Sequence, residues 1–108
     1  MKKLNADFKY LPDMYHDKYY PEFLVDKVKA EIVRVVSFIE EGSHDTDEIQ
    51  QKFDAMTIAI NYLDDEFGEH DSELETVARE DIGDTVQRII DYFELGIDCE
   101  DAIRERDW

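Results

Sequence analysis

Cysteine is nearly absent from this sequence. Cys99 is the only one in 108 residues, so no internal disulfide can form and nothing marks an oxidising compartment. Long apolar runs are missing as well, and no stretch approaches the ~20 residues that cross a bilayer as a helix. The lysines of MKKLNADFKYL are not followed by the hydrophobic stretch of a signal peptide, and a cytoplasmic location is expected by default. Positive charge is scarce: 12 Lys and Arg stand against 29 Asp and Glu, a net charge of -17. Such a field repels nucleic acid and anionic membrane, so neither direct DNA or RNA binding nor membrane attachment is expected. It favours cationic partners and speeds their encounter, although a soluble protein from an acidic proteome would look the same. The imbalance is local. Residues 40–75 hold thirteen acids and one base, Lys52, whereas residues 1–21 hold four lysines and three aspartates.

The chain does have enough apolar material for one core. At 43% hydrophobic and 12% aromatic, it reads as a single ordered domain over 1–108 rather than a disordered acidic tail. Four segments have helical periodicity. Over 21–41, Leu24, Val28, Ile32, Val35 and Ile39 fall on one face, and Pro21 suits a first helical position. Over 46–67, Ile49, Phe53, Met56, Ile60, Leu63 and Phe67 make the most regular stripe, and Ala55, Ile58, Ala59 and Tyr62 widen it. This predicts a central helix packed on more than one side. Over 72–95 the stripe is Leu74, Ala78, Ile82, Val86, Ile89 and Phe93, with Gly83 inside it. A short helix over 98–106 turns Ala102 and Ile103 inward.

Glycine is rare, and three of the four are placed to end these helices: Gly42, Gly68 and Gly96. Glycine tolerates the left-handed conformation at a helix C-terminus. Asp45 with Glu48, and Ser72 with Glu75, then read as capping boxes for the helices that follow. Short turns force antiparallel neighbours. The expected fold is all-α: an antiparallel three-helix bundle, a short fourth C-terminal helix, and an irregular N-terminal arm over 1–20 carrying Phe8, Tyr10, Tyr15, Tyr19 and Tyr20.

The turn EEGSHDTDEI (40–49) is echoed by EFGEHDSELE (66–75). His44-Asp45 and His70-Asp71 could suggest a metal site. Structural zinc wants four Cys or His ligands, and calcium loops want a spaced run of oxygens closing on a bidentate Glu. Neither is present, and successive turns should lie at opposite ends of a bundle. The repeat is therefore read as turn chemistry, with no metal and no cofactor. The acidic helix motifs of all-helical nucleotide pyrophosphohydrolases look superficially like Asp65-Glu66-Phe67-Gly68-Glu69 and Asp81-Ile82-Gly83-Asp84. The helix angles send these carboxylates in different directions, which argues against a shared magnesium site.

Several polar residues fall inside apolar arcs. Glu31 lies on the first helix, and Glu75, Arg79 and Asp81 on the third. They are read either as a buried salt-bridge network involving the arm, Lys27 or Arg88, or as acid and base groups around an interhelical polar pocket. Cys99, near the start of a helix, could have a lowered thiol pKa, but a lone thiol is more often inert and is read so here. Trp108 is read as a packed anchor for the last helix rather than a binding finger.

The stretches MYHDKYYPEFLVDKVK, EFGEHDSELETVARE and RERDW resemble an uncharacterised family of small bacterial proteins. An M-Y-x-x-x-Y-[FY]-P-x-x-L-V-D-K segment, an S-E-[IL]-E-T-x-A-R segment and a closing R-D-W recur in it. The resemblance implies a compact cytoplasmic bacterial protein and no particular activity. It picks out Tyr15, Tyr20, Pro21, Asp26, Lys27, Ser72, Glu73, Glu75, Arg79, Arg106, Asp107 and Trp108.

The functional expectation is a non-enzymatic interaction protein that engages a basic protein, an immunity or inhibitor role being one use of such a field. Its contact acids would be Asp45, Asp47, Glu48, Asp54, Asp64, Asp65 and Glu69. The rival is a small-ligand binder or metal-dependent hydrolytic bundle enzyme built on Glu31, Glu75, Arg79 and Asp81. A third reading is a homodimer that hides Ile58 and Tyr62.

Overall fold

The computed structural model describes residues 2–108. Five helices follow one another: α1 (Pro12–His16), α2 (Glu22–Glu40), α3 (Thr46–Glu69), α4 (Thr76–Phe93) and α5 (Cys99–Ala102). Among the described residues there is no strand. The fold is an all-α bundle. The molecule measures 41 × 28 × 18 Å. A helix with its side chains is about 10 Å across, so the thin dimension admits only two layers. The antiparallel α2–α3 hairpin is the closest helix pair. α1 bridges α4 to α2, and α5 bridges α4 to α3. The stripes read from the sequence meet in the centre, where Leu24, Val28, Ile32, Phe53, Ile60, Phe67, Ala78, Ile82, Val86 and Ile89 are fully buried.

The N-terminal arm is more regular than expected. It contains α1, and its core anchors are Leu11 and Met14, both fully buried, together with Tyr20. Of the arm aromatics, only Tyr20 is buried; Phe8, Tyr10 and Tyr15 are half-buried and Tyr19 is exposed.

Gly42, at φ 79°, reverses the chain after α2 as glycine should. Gly68 does not play this part. α3 runs through it to Glu69, and Asp71 takes the left-handed conformation at φ 59°. The Ser72 N–H donates to the Phe67 carbonyl at 2.9 Å and the Asp71 N–H to the Gly68 carbonyl at 3.3 Å. That is the crossed pair of bonds that closes a helix with a left-handed residue. A helix stops where its last carbonyls find donors, and the burial of Phe67 and Ser72 sets that place at Glu69, with the left-handed residue three positions beyond the glycine. Glu94 likewise, not Gly96, follows the last turn of α4 with a left-handed φ of 53°.

Capping divides in the same way. The Asp45–Glu48 box forms: the Glu48 N–H donates to Asp45 Oδ1 at 2.8 Å, and the Asp45 N–H to Glu48 Oε1 at 3.0 Å. The Ser72–Glu75 box does not form, because α4 begins only at Thr76. Ser72 is buried instead, and its hydroxyl donates to the Tyr19 carbonyl at 2.9 Å. Neither α1 nor α4 has a side-chain cap from its own N-cap residue. The two segments cap each other. The Asp81 carboxylate of α4 accepts the Met14 N–H of α1 at 2.9 Å, and Thr85 Oγ1 accepts the Leu11 N–H at 3.3 Å. The Tyr20 hydroxyl in turn accepts the Ala78 N–H in the first turn of α4 at 3.3 Å.

α5 is shorter than expected: past Ala102 the chain continues in tighter turns, with the Arg104 N–H donating to the Asp101 carbonyl at 3.2 Å and the Arg106 N–H to the Ile103 carbonyl at 3.1 Å, and the whole segment is tied to α3. Gln50 Nε2 donates to the Asp101 carbonyl at 2.7 Å and Asn61 Nδ2 to the Glu105 carbonyl at 2.8 Å. Arg104 grips Asp54 with two bonds of 3.1 and 2.7 Å. Gln50, Asp54, Thr57 and Asn61 recur at helical spacing, so much of the polar strip of α3 is covered by the chain's own C-terminal segment.

Gly83 lies within α4, and a Cβ built on it would meet nothing within 4 Å. It is not a close-approach glycine. Gly83→Ala is expected to stabilise the fold by about 1 kcal/mol. Urea unfolding is the check, and a lower midpoint would mean that α4 needs its local softness.

Candidate functional site

The two histidine turns are at opposite ends of α3, which at 24 residues is about 36 Å long. His44 stacks on Phe38 with centroids 3.6 Å apart and contacts Glu41 through Nε2 at 3.1 Å. His70 meets Phe23 edge-on at 5.1 Å. Among the described residues no group of three or more His, Cys, Asp and Glu side chains is arranged to hold a metal ion. The carboxylates of the pyrophosphohydrolase-like motifs are dispersed in the same way. Glu66 pairs with Lys27 across α2 and α3, Asp84 pairs with Arg88 at 3.0 Å, and Asp81 caps α1.

Glu31, Glu75, Arg79 and Asp81 do not line a common cavity. Glu31 lies in the α2–α3 groove. Glu75 is exposed, and Arg79 donates to Thr76 Oγ1 at 3.1 Å rather than pairing with Glu75. Asp81 is 2% exposed beneath α1. Of the two readings of these residues, the pocket has no counterpart, and the salt-bridge network with the arm, Lys27 or Arg88 does not form either, since among the described residues none of the four is in an ion pair. An angle on a helical wheel gives direction but not partner, and the partner of Asp81 was a backbone amide of an unforeseen helix. Burial pushes the Asp81 carboxyl above its ordinary range, the Met14 N–H opposing that rise and Asp13 adding to it.

The acids read as a contact surface separate into two sets. Asp45, Asp47 and Glu48 stand exposed at the start of α3. Asp64, Asp65 and Glu69 lie near its end, at least ~24 Å along the helix. Asp54, between them, is held by Arg104, and Asp64 accepts the Leu74 N–H at 3.0 Å. Those two carboxylates support the fold before they meet any partner.

The second set belongs to a larger acidic face. Asp64, Asp65, Glu73, Leu74, Arg79, Asp107 and Trp108 line a shallow depression of about 500 Å³. An adjoining notch of about 230 Å³ is lined by Ile58, Asn61, Tyr62 and the same three aspartates. The Glu75 carboxyl beside Glu73 pushes the Glu73 carboxyl up, with Asp64 contributing. Tyr62 is 72% exposed and Ile58, one turn before it, 43%. Trp108 packs partly buried against the core, as an anchor does. Its indole N–H is buried and has no partner among the described residues.

Cys99 is the inert lone thiol and not an activated one. The Cys99 thiol donates to the Gly83 carbonyl at 3.4 Å, and burial, with Glu100 and Asp98 nearby, pushes its pKa up rather than down. A thiol so placed is a poor nucleophile at neutral pH.

One cavity was missed altogether. Between α2 and α3 a groove of about 460 Å³ is floored by Val35, Phe38 and Met56 and flanked by Arg34 and Lys52. Its signal was present in the sequence: Glu31, Arg34, Val35 and Phe38 share one helix face, and Lys52 is the lone base of the acidic half.

Among the described residues no helix is long and apolar enough to cross a membrane. No curated protein and no solved structure matches the chain. A family model does match, over residues 4–108 and so across nearly the whole bundle with both the arm and the terminal Trp: the chain belongs to a family of unknown function (DUF5713).

Proposed function

We propose that the chain is a small acidic interaction protein of the cytoplasm that engages a basic protein, as an inhibitor or immunity protein would. The supporting observation is the exposed Ile58–Tyr62 pair set among Asp64, Asp65 and Asp107. An aromatic anchor within a charged rim is how a tight interface is built. Here the rim is acidic and the net charge is -17, so the complementary surface is cationic. The same charge opposes a second copy of the chain on this face, because two such fields repel.

The test is capture of a partner by immobilised protein from lysate of the source organism, at low and high salt. A basic protein retained at low salt, released at high salt and lost with Tyr62→Ala or Asp65→Lys is the expected outcome. Retention indifferent to both substitutions, or no basic protein at low salt, would refute it. Self-association lost with Tyr62→Ala would favour the homodimer.

A further inference from the structure

We propose that the α2–α3 groove is a binding site for a small amphipathic monocarboxylate, an aliphatic or aryl acid. The inference is independent of the acidic face, which lies toward the other end of α3.

Charge placement is what carries it. Arg104, Arg88, Arg106 and Lys27 each have a carboxylate partner. Arg34 and Lys52 are among the eight of the twelve Lys and Arg that have none within ion-pair distance among the described residues, and what distinguishes these two is that they share a cavity. They come from neighbouring helices and face one groove. The Lys52 ammonium is held 4.9 Å from the Phe38 ring centroid, so its stem reaches from α3 across to α2. Arg34 is one turn before Phe38 on α2. One cation thus sits on the aromatic ring and the second lines the same groove.

The floor between them is apolar. Val35 and Met56 are each 2% exposed, and Phe38 is kept in place by His44 stacked against it. The volume of about 460 Å³ lies within the ~300–1,000 Å³ of ordinary small-molecule sites. A carboxylate between the Arg34 guanidinium and the Lys52 ammonium would gain charge-assisted hydrogen bonds, while its hydrocarbon body lies along the edge of Phe38 and against Ala55 and Val33, which also line the groove. Glu31 and Glu41 also line the groove and set an upper limit on ligand charge. Two acids against two bases make the lining neutral overall, so a single carboxylate seated between Arg34 and Lys52 is opposed less than a dianion such as a phosphate monoester.

The probes are octanoate and phenylbutyrate, added to the intact protein and followed by amide NMR. Expected are saturable shifts confined to residues 31–41 and 52–56, with octylamine giving none there. Losing a charged hydrogen-bond partner weakens binding by about 10- to 100-fold, so Arg34→Gln and Lys52→Gln should each lower octanoate affinity by that order. Both side chains are exposed, so the variants keep the fold, which circular dichroism verifies. Three results would each overturn the proposal: no saturable shift with either acid, shifts centred elsewhere, or affinity unchanged in both variants. Equal binding of octylamine would show a merely greasy groove and reject the anion site.

Discussion

Asp81→Ala should destabilise the protein by about 2–3 kcal/mol, because it strands a buried amide that has lost its acceptor. Asp81 is 2% exposed and accepts the Met14 N–H at 2.9 Å. Alanine leaves that N–H, at the start of a helix with no cap of its own, facing apolar surroundings. For a domain of this size the loss corresponds to a fall of roughly 10–20 °C in Tm. The damage should begin in the arm, because α1 is held to α4 by this bond and its Thr85 neighbour. Hydrogen exchange of the 11–16 amides would report it before global unfolding does.

Asp81→Asn separates hydrogen bonding from charge. Its side-chain carbonyl can still accept the Met14 N–H, so the loss should stay below about 1 kcal/mol. The pH dependence should change as well. Burial raises the folded-state pKa of Asp81 above its ordinary 3.8, so over the window above that value the folded state binds more protons than the unfolded. Stability then falls as pH rises through the window. Asp81→Asn removes this contribution, and its stability relative to the parent should improve from about pH 4 upward. Urea midpoints of the two proteins across mildly acidic pH measure the difference. A constant gap would mean that Asp81 titrates alike in both states.

Tyr20→Ala is the other large effect, at about 3–5 kcal/mol for a buried aromatic. Tyr20 is 4% exposed, and its ring meets Phe67 edge-on with centroids 6.2 Å apart. Its hydroxyl accepts the Ala78 N–H at 3.3 Å and so substitutes for the side-chain cap that α4 lacks. Tyr20→Phe keeps the ring and removes only the oxygen, so it should cost about 1–2 kcal/mol. If both substitutions cost the same, the oxygen would carry the whole contribution, and α4 would be capped rather than packed by this residue.

Much of the architecture could be read directly from residue periodicity. The stripes of α2, α3 and α4 and the Asp45–Glu48 box appear as expected, because each depends on neighbours within a turn or two of the same helix. What periodicity does not carry is a partner remote in sequence. The spacing makes Ser72 a cap for the next helix, yet its hydroxyl goes to Tyr19, fifty-three residues away; with Ser72 buried there, α3 closes past Gly68. Asp54 is held by Arg104 from fifty residues away.

The candidate site follows the same division. The scarcity of bases, the acidic middle of the chain and the isolation of Lys52 were fixed by composition, since charge needs no fold to be counted. That Arg34, Lys52 and Phe38 line one groove, and that Asp81 faces the start of α1 instead of a pocket, was decided by helix packing. Periodicity says which side of a helix a residue occupies, and only the packed tertiary structure determines what it meets there.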